Sequence, residues 1–314
     1  MKTKIFIDGK EGTTGIEIFE RLGKRDDIEI LLIAEDKRKD LNERKKLINM
    51  SDITFLCLPD AAAIEAVSLV ENPDTRIIDA STAHRTNPDW DYGFPELSKM
   101  HRENIAKSKR VANPGCYATG FISLVYPLVQ AGVLPEDYPL TAHAVSGYSG
   151  GGKKMIATIE GEDKTFEMAS PRQYALAQSH KHLPEMQKIC GLKYKPMFNP
   201  IVDDYYSGMV VSVPLVSRAL TKNYTPADIH EIMSEHYAGQ HFVKVMELGA
   251  KETLADGFLP ANTLAGTNNL QIFVCGSDDH ILLASRLDNL GKGASGAAVQ
   301  SMNIMMGIDE KIGL

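Results

Sequence analysis

Through the first 115 positions, apolar residues gather in short runs separated by stretches with helical spacing. Ile5–Ile7, Ile28–Ile33, Ile53–Leu58, Ile77–Ile78 and Val111 read as strands, with Thr14–Leu22, Leu41–Ile48 and Ala61–Glu71 as helices between them. Strands alternating with helices in this way predict βαβ units, a parallel sheet and a Rossmann-like α/β dinucleotide-binding domain.

Beyond Gly115 the pattern changes. A long apolar stretch, Tyr117–Leu128, predicts a buried helix, and longer strand-like runs follow at Met209–Val216 and Leu270–Gly276. The turn Ser277-Asp278-Asp279 pairs the last run with Ile281–Leu287, so this region reads as an α+β domain built on an antiparallel sheet. In the tail, Gly293–Met306, residues Ala294, Ala297, Ala298, Ser301, Met302 and Met305 share one helical face, and glycines precede them at 291, 293 and 296. A face of small residues packs closely, which predicts that this helix returns to the first domain. The expected division is residues 1–115 plus 291–314 as the nucleotide domain and 116–290 as the catalytic, substrate and oligomerisation domain.

Composition narrows the function classes. The 314 residues are 43% hydrophobic and 24% charged, ordinary for a globular enzyme of two domains. The net charge of -7, with basic residues only in short runs such as Lys37-Arg38-Lys39, argues for small-molecule chemistry over nucleic acid. In Met1-Lys2-Thr3-Lys4-Ile5-Phe6-Ile7-Asp8 the chain turns polar after three apolar residues, so neither a signal segment nor a membrane span is expected, and the protein reads as cytoplasmic. The four cysteines form no CxxC pair, so neither a zinc site nor a disulfide framework is expected.

Directly after the first strand comes Asp8-Gly9-Lys10-Glu11-Gly12-Thr13-Thr14-Gly15, opening a helix. Glycines allow a tight turn and close backbone approach to a pyrophosphate, and the helix start attracts the anion. Gly9, Gly12, Thr13, Thr14 and Gly15 are therefore cofactor candidates, although the G-x-x-G-x-x-G spacing departs from the usual G-x-G-x-x-G. About 20 residues on, Glu35 or Asp36 would suit a free ribose hydroxyl, whereas Lys37 and Arg38 would attract a 2′-phosphate. The segment leans to NADP(H).

Cys116 follows Asn113-Pro114-Gly115 and begins the apolar helix, where unpaired N–H groups and the dipole favour thiolate. The alternative is a small buried hydrophobe, as Cys57 and Cys275 look to be. Three further segments carry polar groups that a core does not require. Asp79-Ala80-Ser81-Thr82-Ala83-His84-Arg85 ends the fourth strand. There Ser81 can meet cofactor, and Arg85 can fork onto phosphate or pair with Asp79 or Glu96. Ser146-Gly147-Tyr148-Ser149-Gly150-Gly151-Gly152-Lys153 is glycine-rich enough for amides to approach a ligand, which makes Ser146 and Gly147 substrate candidates. In Ser179-His180-Lys181-His182-Leu183-Pro184-Glu185, no complete metal ligand set surrounds the histidines, and one imidazole with Glu185 suits acid/base work.

These segments together resemble N-acetyl-gamma-glutamyl-phosphate reductases of arginine biosynthesis in their short bacterial form. The most specific element is Asn113-Pro114-Gly115-Cys116-Tyr117-Ala118-Thr119, similar to the family's Pro-Gly-Cys segment, with Ala118 where proline is usual. Tyr92-Gly93-Phe94-Pro95-Glu96-Leu97 and the three polar segments are similar as well. The resemblance implies an NADPH-dependent oxidoreductase reducing N-acetyl-L-glutamyl 5-phosphate to the 5-semialdehyde through a Cys116 thioester. It also implies a two-domain fold like that of aspartate-semialdehyde and glyceraldehyde-phosphate dehydrogenases. Carried over, Cys116 is the nucleophile, His180 the acid/base, Glu185 its carboxylate partner, and Arg85 and His182 substrate ligands. A homodimer or homotetramer is expected. An aspartate-semialdehyde dehydrogenase and a non-catalytic NADP-sensing protein are the alternative readings.

Overall fold

The computed structural model describes residues 2–250 and 254–314. They divide into two compact units: the chain up to Gly115 with Ala294–Leu314, and Cys116–Gly293. The first unit begins with β1 (Thr3–Asp8), α1 (Thr13–Leu22), β2 (Ile28–Leu31), α2 (Leu41–Met50), β3 (Ile53–Leu56), α3 (Asp60–Ser68) and β4 (Arg76–Asp79). It continues through β5 (Asp91–Tyr92), α4 (Lys99–Lys107) and β6 (Arg110–Ala112). All six strands run parallel in the order β2-β1-β3-β4-β6-β5. The β-branched and aromatic runs expected as strands supply the core: Ile5, Ile53, Phe55 and Ile78 are buried on one side, and Phe6, Leu56 and Ile77 on the other. Helix ends follow the polar residues beside them, with Asp40 capping α2 through Asn42 and Glu43 and Ser98 capping α4 through His101.

The second unit contains α5 (Cys116–Gln130), β7 (Thr141–Gly147), α6 (Gly152–Glu160), β8 (Arg172–Gln173), α7 (Leu183–Cys190), β9 (Met197–Asp203) and β10 (Met209–Val216). After these come α8 (Pro226–His236), β11 (Val243–Val245), β12 (Leu270–Gly276) and β13 (His280–Leu287). Its seven-stranded sheet has the order β11-β12-β13-β10-β7-β9-β8. The antiparallel pairing expected from the long strands holds through β7, β10, β13 and β12, including the Ser277–Asp279 hairpin. Two pairs, β7 with β9 and β11 with β12, are parallel, so the sheet is mixed. Parallel neighbours need crossovers, and α6 and α7 lie in the connection from β7 to β9.

One face of this sheet is buried in register across strands: Ser146, Val202, Met209 and Leu287 form one row, and Ala144, Pro200, Val211 and Ser285 the next. Helix α5 packs on β10 and β13. It comes so near that a Cβ added at Gly120 would lie 2.6 Å from Val211 Cγ2 and 2.9 Å from Ser285 Oγ. The Gly120 carbonyl also accepts the Ser285 hydroxyl at 3.0 Å. On the opposite face His143, Pro214 and Leu282 are exposed.

A π-helical turn, Gly291–Ser295, leads into α9 (Gly296–Met306), and the chain re-enters the first unit between Gly293 and Ala294, where a crossing at residue 291 was expected. Helix α9 packs against α4, α1 and β4. The expected one-sided small face is a correction: every residue from Gly296 to Met305 is buried, so the helix is enclosed all round.

Gly120→Ala separates two opposing effects. Alanine favours a helix interior by about 1 kcal/mol, but the clash with β10 is an overpacking that costs about 1–3 kcal/mol. The variant should have a lower denaturation midpoint than the parent in urea; a raised midpoint would show that α5 can lift off its sheet at no cost.

Candidate active site

At the start of the first unit, each glycine of the loop has its own reason. Gly9 has φ +86°, and a Cβ there would lie 2.4 Å from the Cys57 carbonyl oxygen; a Cβ on Gly15 would lie 2.6 Å from the Gly9 oxygen. Both are demanded by the fold. Gly12, the N-cap of α1, would meet only ordinary contact, 3.5 Å from the Gly9 oxygen, so the fold alone does not require glycine there. Helix α1 has no side-chain cap and no acidic residue in its first turn, Thr13 and Thr14 being its first residues, so its positive end is uncompensated locally. The loop borders a cleft of about 400 Å³ also lined by Ile30–Ile33, Cys57–Pro59, Glu35, Arg38 and Lys39. These residues fit a dinucleotide: an apolar wall, a glycine-softened helix start, and cations at the far rim.

The rim differs in detail from the expectation. Arg38 lines the cleft and pairs with Glu35 at 2.6 Å, which ties that acid to a cation; Lys39 also lines it, whereas Lys37 does not. Behind the loop, burial pushes the Asp8 carboxyl above its usual range against the pull of Arg44, whose Nε donates to it at 3.0 Å.

At the end of β4, Asp79 is fully buried and accepts the Ser81 N–H (2.9 Å) and Ser81 hydroxyl (2.7 Å), with His84 Nδ1 2.6 Å away. The Ser81 hydroxyl expected to meet cofactor is thus engaged inside the protein. Arg85 is buried, not at the surface. Its Nε donates to the Asn113 carbonyl (2.9 Å) and its Nη2 to the Ala80 carbonyl (3.0 Å). Through that edge of the guanidinium Arg85 braces the turn Asn113-Pro114-Gly115. Asn113 Nδ2 in turn donates to the Ala294 carbonyl at 2.9 Å.

In the second unit, Cys116 is the first residue of α5 and partly exposed. Gly293 packs on it so tightly that a Cβ at 293 would lie 2.8 Å from the Cys116 Cβ. In the sequence Gly293 stands out only as one of the glycines near the start of the terminal helix. Tyr117 receives the Tyr174 hydroxyl at 3.0 Å. Burial pushes the Tyr117 phenol well above its usual range, and Tyr174 up to about 12, with the charge of Cys116 raising both. Both phenols are neutral beside the thiol. Tyr174 was missed because a lone tyrosine in Arg-Gln-Tyr-Ala carries no motif.

His180 and His182 share this cluster. Their rings meet edge to face at 4.7 Å, and each borders Tyr117, at 5.8 and 6.0 Å. The His182 main-chain N–H donates to His180 Nδ1 at 3.1 Å. The nitrogen that an orienting carboxylate would hold is therefore taken by an amide, and the neutral His180 ring carries its proton on Nε2. Glu185 is buried in the first turn of α7, and His182 is the N-cap of that helix.

The glycine-rich loop serves the fold more than a ligand. The N–H groups of Gly147, Tyr148 and Ser149 donate to the carbonyls of Gly208, Tyr205 and Tyr206, and a Cβ on Gly147 would lie 2.5 Å from the Tyr206 oxygen. Asn289 completes this lock through Gly208 N–H and Ser149 Oγ. Ser146 remains beside Tyr117. Burial raises the thiols of Cys57 (to about 12), Cys190 and Cys275, consistent with core residues. Among the described residues no group of His, Cys, Asp and Glu could hold a metal, and no helix is long and apolar enough to cross a membrane.

A Rossmann-type unit followed by a mixed-sheet unit that opens on a helix-borne cysteine is a semialdehyde dehydrogenase architecture. Residues 4–108 match the semialdehyde dehydrogenase NAD binding domain, and residues 116–289 the semialdehyde dehydrogenase dimerisation domain. Aspartate semialdehyde dehydrogenase II of Vibrio cholerae, solved with ASA, superposes with TM-score 0.71 over 98% of this chain and 99% of its own. The enzyme of Francisella tularensis does so with TM-score 0.72 over 97% and 100%. At 16% and 15% identity these likenesses speak for the fold alone. An N-acetyl-gamma-glutamyl-phosphate reductase 2 of Nostoc sp. is 49% identical over all of this chain and 99% of its own, and a reductase of the same name from Brucella ovis is 50% identical over 98% and 100%. The chain belongs to the semialdehyde dehydrogenase family and, within it, to the N-acetyl-gamma-glutamyl-phosphate reductases.

The phenol pair sets an alkaline limit. A folded-state pKa raised above the ordinary value means that the folded protein holds a proton the unfolded chain releases, so stability is complete below about pH 10 and is lost as pH rises toward about 12. Between pH 9 and 11.5, Tyr174→Phe should lose less of its urea midpoint than the parent; an equal loss would remove Tyr174 from the account.

Proposed function

We propose that the protein reduces N-acetyl-L-glutamyl 5-phosphate to N-acetyl-L-glutamate 5-semialdehyde with NADPH, releasing phosphate, through a thioester on Cys116. The observation that carries this reading is the partly exposed thiol at the first residue of α5, set among neutral phenols and two imidazoles. The relatives' name supplies the substrate. The same chemistry on a shorter, unacetylated acyl phosphate is the aspartate-semialdehyde reading, and the full-length relatives near 50% identity weigh against it.

Thiolate is favoured by the N-terminal end of α5. Its sulfur attacks the acyl carbon, a C–S bond forms, and the carbon–oxygen bond to phosphate breaks. Main-chain N–H groups in the first turn of α5 suit the oxyanion, where one donor is worth about 3 kcal/mol in the barrier. NADPH, which Gly12, Arg38 and Lys39 would hold, would supply hydride to the thioester carbon when bound. The C–S bond of the resulting thiohemiacetal then breaks, giving aldehyde and regenerated thiolate. The one proton consumed overall leaves with phosphate.

His180 is assigned as the residue that serves the reacting oxygens. With Nδ1 accepting an amide, its Nε2–H is a hydrogen-bond donor, and removal of a proton from Cys116 would require breaking the bond to His182. Thiolate formation therefore rests on α5. Glu185 is proposed to fix the first turn of α7 and with it the two histidines, and Arg85 to brace the turn before Cys116. Gly12, Arg38 and Lys39 are proposed to meet the cofactor, the cations favouring a 2′-phosphate. A homo-oligomer formed through the second unit follows from its match to a dimerisation domain, and the open sheet face is the surface proposed for it. A cytoplasmic location fits a biosynthetic enzyme of this kind.

The test is phosphate-dependent reduction of NADP by N-acetylglutamate semialdehyde. Cys116→Ala should abolish it while nucleotide binding persists. His180→Gln, which keeps an N–H near the Nε2 position, should retain activity within about tenfold, and His180→Ala should fall by about a hundredfold or more. Turnover by Cys116→Ala would overturn the thioester, and equal losses in the two His180 variants would overturn the donor role.

A further inference from the structure

Gln178 does the work of a strand that is missing. β8 ends at Gln173, and its pairing with β9 runs on only as far as the bond from Tyr174 N–H to the Pro200 carbonyl at 3.1 Å. Every second residue of a strand turns its N–H and C=O to the same side. Phe198, two residues before Pro200, therefore points both main-chain groups at the place a longer β8 would fill. The chain has left the sheet by then: Ala175 has φ 53° and Gln178 φ 54°, a left-handed backbone that residues other than glycine adopt at a cost.

The Gln178 side-chain amide fills the gap. Its Oε1 accepts the Phe198 N–H at 2.8 Å, and its Nε2 donates to the Phe198 carbonyl at 2.8 Å. The Gln178 main-chain N–H donates to the Ala175 carbonyl at 2.9 Å and closes the turn. Gln178 is an exposed residue, so these bonds, and not apolar burial, hold it. What they hold is the wall of the histidine cluster. Phe198 lies opposite Ala142 in the row after Ala144 and Pro200, and its ring meets Tyr117 edge to face at 5.2 Å and His180 at 5.1 Å. His180 follows Gln178 by two residues. One amide thus fixes both the segment that carries the imidazole and the ring on which the imidazole rests.

We infer that Gln178 is a positioning residue for His180: by gripping the Phe198 main chain at both its N–H and its C=O, the amide sets where the imidazole presents Nε2–H. This rests on the reaction proposed above. Gln178 acts through Phe198 and His180, and the His182 N–H on His180 Nδ1 at 3.1 Å completes the setting.

A double-mutant cycle tests this, with phosphate-dependent NADP reduction as the rate. Gln178→Met, which fills the space without hydrogen bonds, should lower kcat by about tenfold and leave the Kd for NADP unchanged. Gln178→Glu keeps the shape and the acceptor but sets an oxygen against the Phe198 carbonyl, and its kcat should fall as far. Gln178→Asn suits the left-handed backbone but is too short to grip Phe198. It should match Gln178→Met in rate while keeping the parent's thermal midpoint, which separates placement from folding. In a His180→Ala background none of the three should lower the rate further, because the group they act through is gone. Losses that multiply in that background, or a parental kcat in Gln178→Met, would overturn the assignment. A second readout needs no turnover: nitrogen NMR of labelled histidine should show His180 as one Nε2–H tautomer in the parent and as a mixture in Gln178→Met. An unchanged tautomer would also overturn the assignment. If the parent uses aspartate semialdehyde and not N-acetylglutamate semialdehyde, the proposed reaction falls, and the same cycle run on the aspartate aldehyde still decides the role of Gln178.

Discussion

The approach of α5 to the mixed sheet at Gly120 is the contact on which the chemistry of the second unit depends. With no side chain at that position, the helix lies against Val211 and Ser285, and its first residue, Cys116, is fixed relative to the row that carries Ser146. Gly293 closes on Cys116 itself, where a Cβ would lie 2.8 Å from the Cys116 Cβ. Tyr117 then receives the Tyr174 hydroxyl, which ties the residue after Cys116 to the loop that leads to the histidines. Two glycines thus convert helix packing into placement of a thiol.

The electrostatics around that thiol follow from burial. Phenols held neutral can donate hydrogen bonds without adding negative charge beside a thiolate. An imidazole whose Nδ1 accepts an amide is likewise held as a donor. The helix start at Cys116 supports a charged sulfur without calling on an adjacent base. Arg172, whose Nε and Nη2 are accepted by no described residue, lies at the edge of the same sheet.

Much of this was legible in the chain. The strands of the first unit are short β-branched runs, and the loop after β1 names its own turn through glycine. Cys116 announced itself by following Asn113-Pro114-Gly115, and the same segment carried the family resemblance. What stayed hidden depended on which backbone groups were already engaged. The Ser81 hydroxyl and the Gly147–Ser149 amides look available in sequence but are bonded to Asp79 and to the loop at 205–208. That Arg85 also braces a turn through two main-chain carbonyls shows only in the fold. Arg172 and Tyr174 became visible only through register, because β8 is two residues long and parallel pairing of β9 with β7 sets which side chains share a face.

The most direct test of a Cys116 acyl-enzyme is a single turnover in the oxidative direction without phosphate. Enzyme mixed with N-acetylglutamate semialdehyde and NADP should release a burst of NADPH equal to the enzyme present, then stall, and peptide mapping should find an N-acetylglutamyl group on Cys116. Steady NADPH formation without phosphate, or an acyl group on another residue, would contradict the account.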